Sequence, residues 1–295
     1  MYEDRTSRTF LRGVSNDQYQ TNGHSTQFAQ HSSGRLVLDA LILAAGQGSR
    51  LEVRGPKCLV QVGGRTLLDH QLDAIDRVGA DRVTLVVGYE HDQVEDAAKG
   101  RAQIVLNERY AETNSLYSFW LARNAVDGDL LVLNSDVFFA PGLLSDLVAV
   151  PGSAIAFDSS SGNEDEHMKV NAQRGRLMRL SKDLPPTDSH GESLGVLHLR
   201  RPAARAAFSA AGSYVGRGCC DHWVTAAFNE VARGHWVSCV DVAGQPWVEI
   251  DFPEDLDRAR NHTWPAIAAL RREHGSPEGR WSSLMEPDEM EEVGT

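Results

Sequence analysis

The stretch Leu41-Ile42-Leu43-Ala44-Ala45 is apolar and stops at Gly46-Gln47-Gly48, with Ser49-Arg50-Leu51 and Pro56-Lys57 just beyond. An apolar run that ends at two closely spaced glycines reads as a buried strand delivering its carboxyl end into a loop whose amides can approach a ligand. Ser49 adds a hydroxyl donor, Arg50 a planar fork of donors and Lys57 a mobile point charge, so one short segment gathers groups suited to a polyphosphate. Two familiar glycine loops are excluded by the letters. A dinucleotide fingerprint needs a third glycine where this chain has Leu51, and a P-loop needs Lys-Ser or Lys-Thr where it has Lys57-Cys58. On their own, Gly46 and Gly48 are equally explained by a tight strand-to-helix turn.

Downstream, apolar runs alternate with helical spacing. Thr66-Leu67-Leu68-Asp69 predicts a capped helix start, and Leu68, Leu72 and Ile75 recur at helical intervals until Gly79. Further strands are expected at Val83–Val87, Ile104–Leu106 and Leu130–Leu133, with a polar helix start at Thr113-Asn114-Ser115. This alternation implies an α/β domain whose mainly parallel mixed sheet is flanked by helices and binds ligands at the carboxyl ends of its strands. Gly46 to Arg50, Gly88-Tyr89, Asn107-Glu108 and Asn134-Ser135-Asp136 are therefore the positions to inspect. Over about 151–200 the pattern changes to short alternating runs, which predict a small antiparallel insertion. Later come helices near Pro202–Ala211 and Asp221–Val231, and strands at Trp236–Val242 and Trp247–Ile250. The expected organisation is a flexible leader over 1–34, a domain over 35–271 and a disordered acidic tail over 272–295.

The net charge of −12 argues against a general nucleic-acid binder, which needs a basic surface, and means that an anionic ligand must be held by a local basic pocket. No segment is long and apolar enough to span a bilayer. The four cysteines form no metal or disulfide framework, which fits a reducing cytoplasm. Asp136 and Asp251 follow apolar strands far apart in sequence. Either one alone would suit a turn or helix cap, but with a basic phosphate loop the pair offers the carboxylates that magnesium prefers beside phosphate oxygens. Lys169 enters a strand behind an acidic run, as a surface ion pair or as a cation for a phosphoryl group.

Taken in order, Leu43 to Leu51 with Pro56-Lys57, Asn107-Glu108-Arg109-Tyr110, Thr113 to Ser118, Asn134-Ser135-Asp136 and Glu249-Ile250-Asp251 resemble the signature of the nucleotidyltransferases that activate sugar phosphates and small head groups. They look most like the phosphocholine and phosphonate cytidylyltransferase branch, and Met168-Lys169-Val170, Ser181-Lys182-Asp183 and Gly191-Glu192-Ser193-Leu194-Gly195 are closest to the phosphonate-activating members. The resemblance implies a single Rossmann-like nucleotidyltransferase domain that joins CMP from CTP to a small phosphonate or phosphate monoester, with Mg2+ as cofactor and pyrophosphate as product. It places Arg50, Lys57 and Lys169 in the catalytic role and Asp136 and Asp251 on the metal. Ala44, Ala45, Gly46, Gly48, Ser49, Gly88, Asn107, Ser115 and Asp136 would bind the nucleotide, and Tyr117 and Glu192 the acceptor. A homodimer, with neither nucleic acid nor membrane as partner, completes the expectation. Phosphocholine, or a sugar 1-phosphate with UTP or GTP, remains the alternative.

Overall fold

The computed structural model describes residues 37–161 and 167–273. The expected leader, the tail from 274 onward and the acidic Glu164-Asp165-Glu166 lie outside the described residues. The chain runs through β1 (Leu38–Ala44), β2 (Gln61–Val62), β3 (Arg65–Thr66), α1 (Leu67–Arg77), β4 (Arg82–Val87), α2 (His91–Ala98), β5 (Gln103–Leu106), α3 (Ser115–Leu121), β6 (Asp129–Asn134), β7 (Val137–Phe139) and α4 (Gly142–Ala149). It continues through β8 (Ser153–Asp158), β9 (Lys169–Gln173), β10 (Arg176–Ser181), β11 (Glu192–Leu199), α5 (Arg201–Gly216), α6 (Thr225–Gly234), β12 (Val237–Asp241), β13 (Trp247–Glu249), α7 (Pro253–Arg258) and α8 (Trp264–Glu273).

Nine strands form one mixed sheet in the order β5-β4-β1-β6-β11-β8-β12-β10-β9. The first four are parallel, with Ala44 opposite Val87, Val87 opposite Leu106, and Leu43 opposite Asn134. That register brings the residues after each strand, Ala45, Gly88, Asn107 and Ser135, to one level at one end of the sheet. The antiparallel segment over about 151–200 is continuous with this sheet: β11 runs antiparallel between β6 and β8, while β9 and β10 form the far edge. The predicted helix start is present, with Thr66 Oγ1 accepting from the Asp69 amide at 3.0 Å. Apolar clusters pack on both faces of the sheet. One joins Leu41, Leu43 and Val132 to Phe119, Ala207 and Phe228, and the other joins Ile42, Leu85 and Leu133 to Leu68, Ile75 and Leu144.

A third cluster, of Leu51, Val62, Leu67, Phe138, Val248, Ile250, Leu256 and Ile267, sits beneath the strand ends. It anchors the end of the glycine loop through Leu51 and the β7–β13 ribbon through Phe138 and Val248. In that ribbon Val137 lies opposite Glu249, and the Ile250 amide donates to the Asp136 carbonyl at 3.0 Å. Two distant segments are thereby fixed side by side just where each carries an aspartate.

Candidate active site

Lys57 Nζ donates to Asp136 Oδ2 at 3.0 Å and to Asp251 Oδ1, and Arg50 Nη2 reaches Asp251 Oδ2 at 3.1 Å. Burial alone would lower the Lys57 pKa, but the charges of Asp136 and Asp251 outweigh it and hold the ammonium above its ordinary value. The reverse holds at Asp251, where burial raises the carboxyl but Lys57 and then Arg50 pull it below the usual range. Glu249 completes the cluster, since one carboxylate oxygen each from Asp136, Glu249 and Asp251 lie within 4.8 Å of one another. Burial, and then the charges of Asp136 and Asp251, push the Glu249 carboxyl up to about 8.

The glycine loop stands over this cluster. Gly48 adopts φ +60°, and a Cβ there would come to 2.9 Å from Lys57 Cβ, so glycine is what lets the loop close onto the lysine. A Cβ on Gly46 would meet nothing within 4 Å, which leaves open space in front of the loop. Across the cleft, Asn107 is buried and donates to Thr113 Oγ1 and Ser118 Oγ at 3.1 Å each, while its own oxygen accepts from the Arg109 amide at 3.0 Å. The loop between β5 and α3 is thereby closed on itself. Ser115 Oγ accepts from the Val224 amide at 2.9 Å, which ties α3 to the start of α6.

These groups line one cleft of about 340 Å³. Of the residues expected at the site, Ala44, Ala45, Gly46, Gly48, Ser49, Arg50, Lys57, Asn107, Ser115, Asp136 and Asp251 line it together. Four do not. Lys169 is buried and donates to the Lys182 carbonyl at 3.0 Å, and Glu192 is buried against His167 Nδ1 at 2.9 Å. Neighbouring side chains on a strand point to opposite faces, so Met168 and Ser193 line the cleft while Lys169 and Glu192, one residue along, turn away from it. Tyr117 lies off the helix face shared by Ser115 and Ser118, and carries the Arg109 guanidinium 5.3 Å above its ring. Gly88 is a spacer: a Cβ there would come to 2.6 Å from Tyr110 Cβ and 2.7 Å from the Ala45 carbonyl oxygen.

Further lining residues stand outside the set assigned roles from the sequence. Glu249 shares its face with Asp251 two positions on, a period-two signal that was available in Glu249-Ile250-Asp251. Lys182, in the Ser181-Lys182-Asp183 run of the resemblance, lines the cleft as well, as do Trp223, Thr225 and Phe228, which belong to no local motif. Cys58 lines it as well, but burial pushes its thiol up to about 12, so it stays neutral and is no nucleophile. The four cysteines are all free thiols.

The donor set suits a small divalent cation. Asp136 Oδ1 is buried without a hydrogen-bond partner, and Glu249 is held back from ionising by burial and then by its two acidic neighbours. A dication would satisfy the orphaned oxygen and reverse that repulsion. Asp136, Asp251 and Glu249 are the residues that would hold Mg2+.

Cations set against carboxylates at the ends of parallel strands are the equipment of a nucleotidyl transferase, where positioning and charge compensation carry most of the chemistry. Residues 40–277 match the MobA-like NTP transferase domain, and the chain belongs to that family. It is 32% identical over 248 residues to a CMP-5'-(3-aminopropyl)phosphonate synthase of Streptomyces rubellomurinus, covering 75% of this chain and 38% of that protein. With a bifunctional IPC transferase and DIPP synthase of Aquifex aeolicus it shares 26% identity over 234 residues, covering 77% of this chain and 52% of that one. The chain thus spans about half the length of these curated relatives, or less. Two solved structures share the fold at 22% identity. The CTP:phosphocholine cytidylyltransferase of Streptococcus pneumoniae has a TM-score of 0.63 and matches 76% of this chain and 97% of its own. The inositol-1-phosphate CTP transferase of T. maritima has a TM-score of 0.67 and matches 80% and 97%.

Proposed function

We propose that this protein transfers CMP from CTP to a small phosphonate or phosphate monoester and releases pyrophosphate, with Mg2+ as its cofactor. The observation that carries the reading is the single cleft in which Arg50 and Lys57 of the glycine loop meet Asp136, Glu249 and Asp251. The relatives named for cytidylyl transfer and phosphonate activation support the choice of nucleotide and of acceptor class.

The chemistry follows from the residue types. A phosphonate oxygen is already anionic near neutral pH, so it needs no general base. It attacks the α-phosphorus of CTP in line; the new phosphorus–oxygen bond forms as the bond to the β-phosphate oxygen breaks, and no proton is transferred. The main barrier is repulsion between anions. Arg50 and Lys57 supply fixed positive charge beside the triphosphate, and the loop amides supply donors at close range. Bound Mg2+ would add charge neutralisation and orientation of the phosphates. Phosphate oxygens of CTP are alternative partners for Lys57, and the carboxylates freed by that exchange would be the ones to hold Mg2+.

The alternative of phosphocholine requires an aromatic cage for a quaternary ammonium. Tyr110, Trp223 and Phe228 are the aromatic residues among the described lining, and the Lys182 ammonium already sits 4.9 Å above the Trp223 ring. That cation opposes a choline head group and favours an anionic acceptor. A panel of CTP, UTP and GTP against 2-aminoethylphosphonate, phosphocholine and a sugar 1-phosphate tests the reading by pyrophosphate release. CTP with the phosphonate is expected to lead, and preference for UTP or GTP with the sugar phosphate would overturn it.

A further inference from the structure

Helix α1 buries Leu68, Leu72 and Ile75 against Leu133 and Val137 at the end of the sheet. Gln71 lies in the same buried part of the helix and is only 2% exposed, a position that an amide tolerates when its polar atoms are engaged. Its Nε2 donates to the Asn134 carbonyl at 2.8 Å and to the Val137 carbonyl at 2.9 Å. Both amide protons are thereby used, and the two acceptors bracket Ser135-Asp136, the turn between β6 and β7. Oε1 is buried without a hydrogen-bond partner. Turning the amide over would set that oxygen against two carbonyl oxygens, so the turn itself fixes which way the amide points.

The backbone of the turn is held from two other directions. The Ser135 amide donates to the Leu43 carbonyl at 3.3 Å, and the Asp136 carbonyl accepts from the Ile250 amide at 3.0 Å. Gln71 adds a third hold, from the helix side. Because Val137 lies opposite Glu249 in the β7–β13 ribbon, the same amide also grips the ribbon that carries the other two carboxylates. The backbone on either side of Asp136 is thus pinned, while its Oδ1 has no hydrogen-bond partner of its own. We propose that Gln71 is a positioning residue for the carboxylate centre: through the Asn134 and Val137 carbonyls it aims Asp136 at the point where Asp136, Glu249 and Asp251 would share one divalent cation. This inference rests on the reading of those carboxylates as the metal site, and on the transferase reading only for its consequence in turnover.

Titration of the full chain with Mn2+, with the free ion followed by electron paramagnetic resonance, tests it without nucleotide or turnover. Gln71→Met fills the same space without the two donors and is expected to weaken Mn2+ binding about tenfold or more, as losses of outer-shell hydrogen bonds do. Gln71→Glu is close to isosteric, and its buried carboxyl can donate to at most one of the two carbonyls, so its affinity should fall between wild type and Gln71→Met. Ile75→Ala, one turn along α1, is the control for lost packing and should keep the Mn2+ affinity within about twofold. Wild-type affinity in either Gln71 variant would overturn the assignment, and so would an equal loss in Ile75→Ala, which would reduce Gln71 to a packing role. If Asp136→Ala binds Mn2+ as tightly as wild type, the metal site fails and the positioning role fails with it. If Mn2+ binding weakens as expected but CTP yields no pyrophosphate with any acceptor, the role of Gln71 stands and the proposed reaction fails.

Discussion

Replacing Lys57 by methionine keeps the unbranched apolar stem and removes the charge that Asp136 and Asp251 share. Carboxylate oxygens within 4.8 Å of one another repel by about 3–4 kcal/mol at an effective dielectric constant near 20. Deleting one partner of a buried ion pair costs about 3–5 kcal/mol. Because the Asp136 side chain is 23% exposed, the lower end, about 3 kcal/mol, is the better expectation. For a domain of this size that corresponds to a fall of about 6–12 °C in Tm, measured in EDTA by thermal unfolding. Magnesium should then stabilise Lys57→Met more than wild type, because in the wild-type protein the ion must displace an ammonium from the same carboxylates. Turnover should nevertheless remain about a hundred- to a thousandfold down with magnesium present, as expected when one charge-stabilising group is lost. Wild-type stability in EDTA, or the same magnesium shift in both proteins, would refute the reasoning.

Three other outcomes follow from the same geometry. The Glu249 carboxyl is raised from 4.5 to about 8, so the stability its proton confers is fully present below about 4.5 and is lost as pH rises through about 8. Urea midpoints without metal should fall across that window and flatten in Glu249→Gln; an unchanged profile in the variant would contradict the assignment. Gly195 has φ +68°, and a Cβ there would come to 2.4 Å from Asn134 Nδ2. Gly195→Ala should therefore cost about 1–3 kcal/mol and raise the KM for CTP by displacing Asn134, whereas wild-type values in both assays would mean that the bulge at this position relaxes freely. Tyr117 lies off the cleft, so Tyr117→Leu should leave the acceptor KM within about twofold, and a tenfold rise would return it to the site.

The first half of the fold was legible because its signals are local. The apolar run into Gly46 and Gly48, the Thr66 cap and the strands ending at Gly88, Asn107 and Asn134 can each be read within a few residues, and parallel register then places their ends together. β11 was less legible, because its partners β6 and β8 are chosen by long-range pairing and the irregularity at Gly195 is visible only once Asn134 lies beneath it. At the site, Lys169 and Glu192 were expected one position away from the residues that face the cleft. A strand turns every side chain over with a shift of one residue, and nothing in Met168-Lys169-Val170 says which face is inward. Lys182 lies in the Ser181-Lys182-Asp183 run that the resemblance picked out, but what sets its position is tertiary: Lys169 holds its carbonyl, and Asn229 holds the backbone of Leu180 two residues before it. Glu249, by contrast, was within reach of period-two reasoning.

Phosphorus NMR on the full chain with CTP, Mg2+ and 2-aminoethylphosphonate is the most direct test of the claim that the loop cations and the strand-end carboxylates form one transfer site. The wild-type protein should give pyrophosphate and a new mixed anhydride in equal amounts, and Asp136→Ala should give neither. Formation of both products by Asp136→Ala at the wild-type rate would contradict the account.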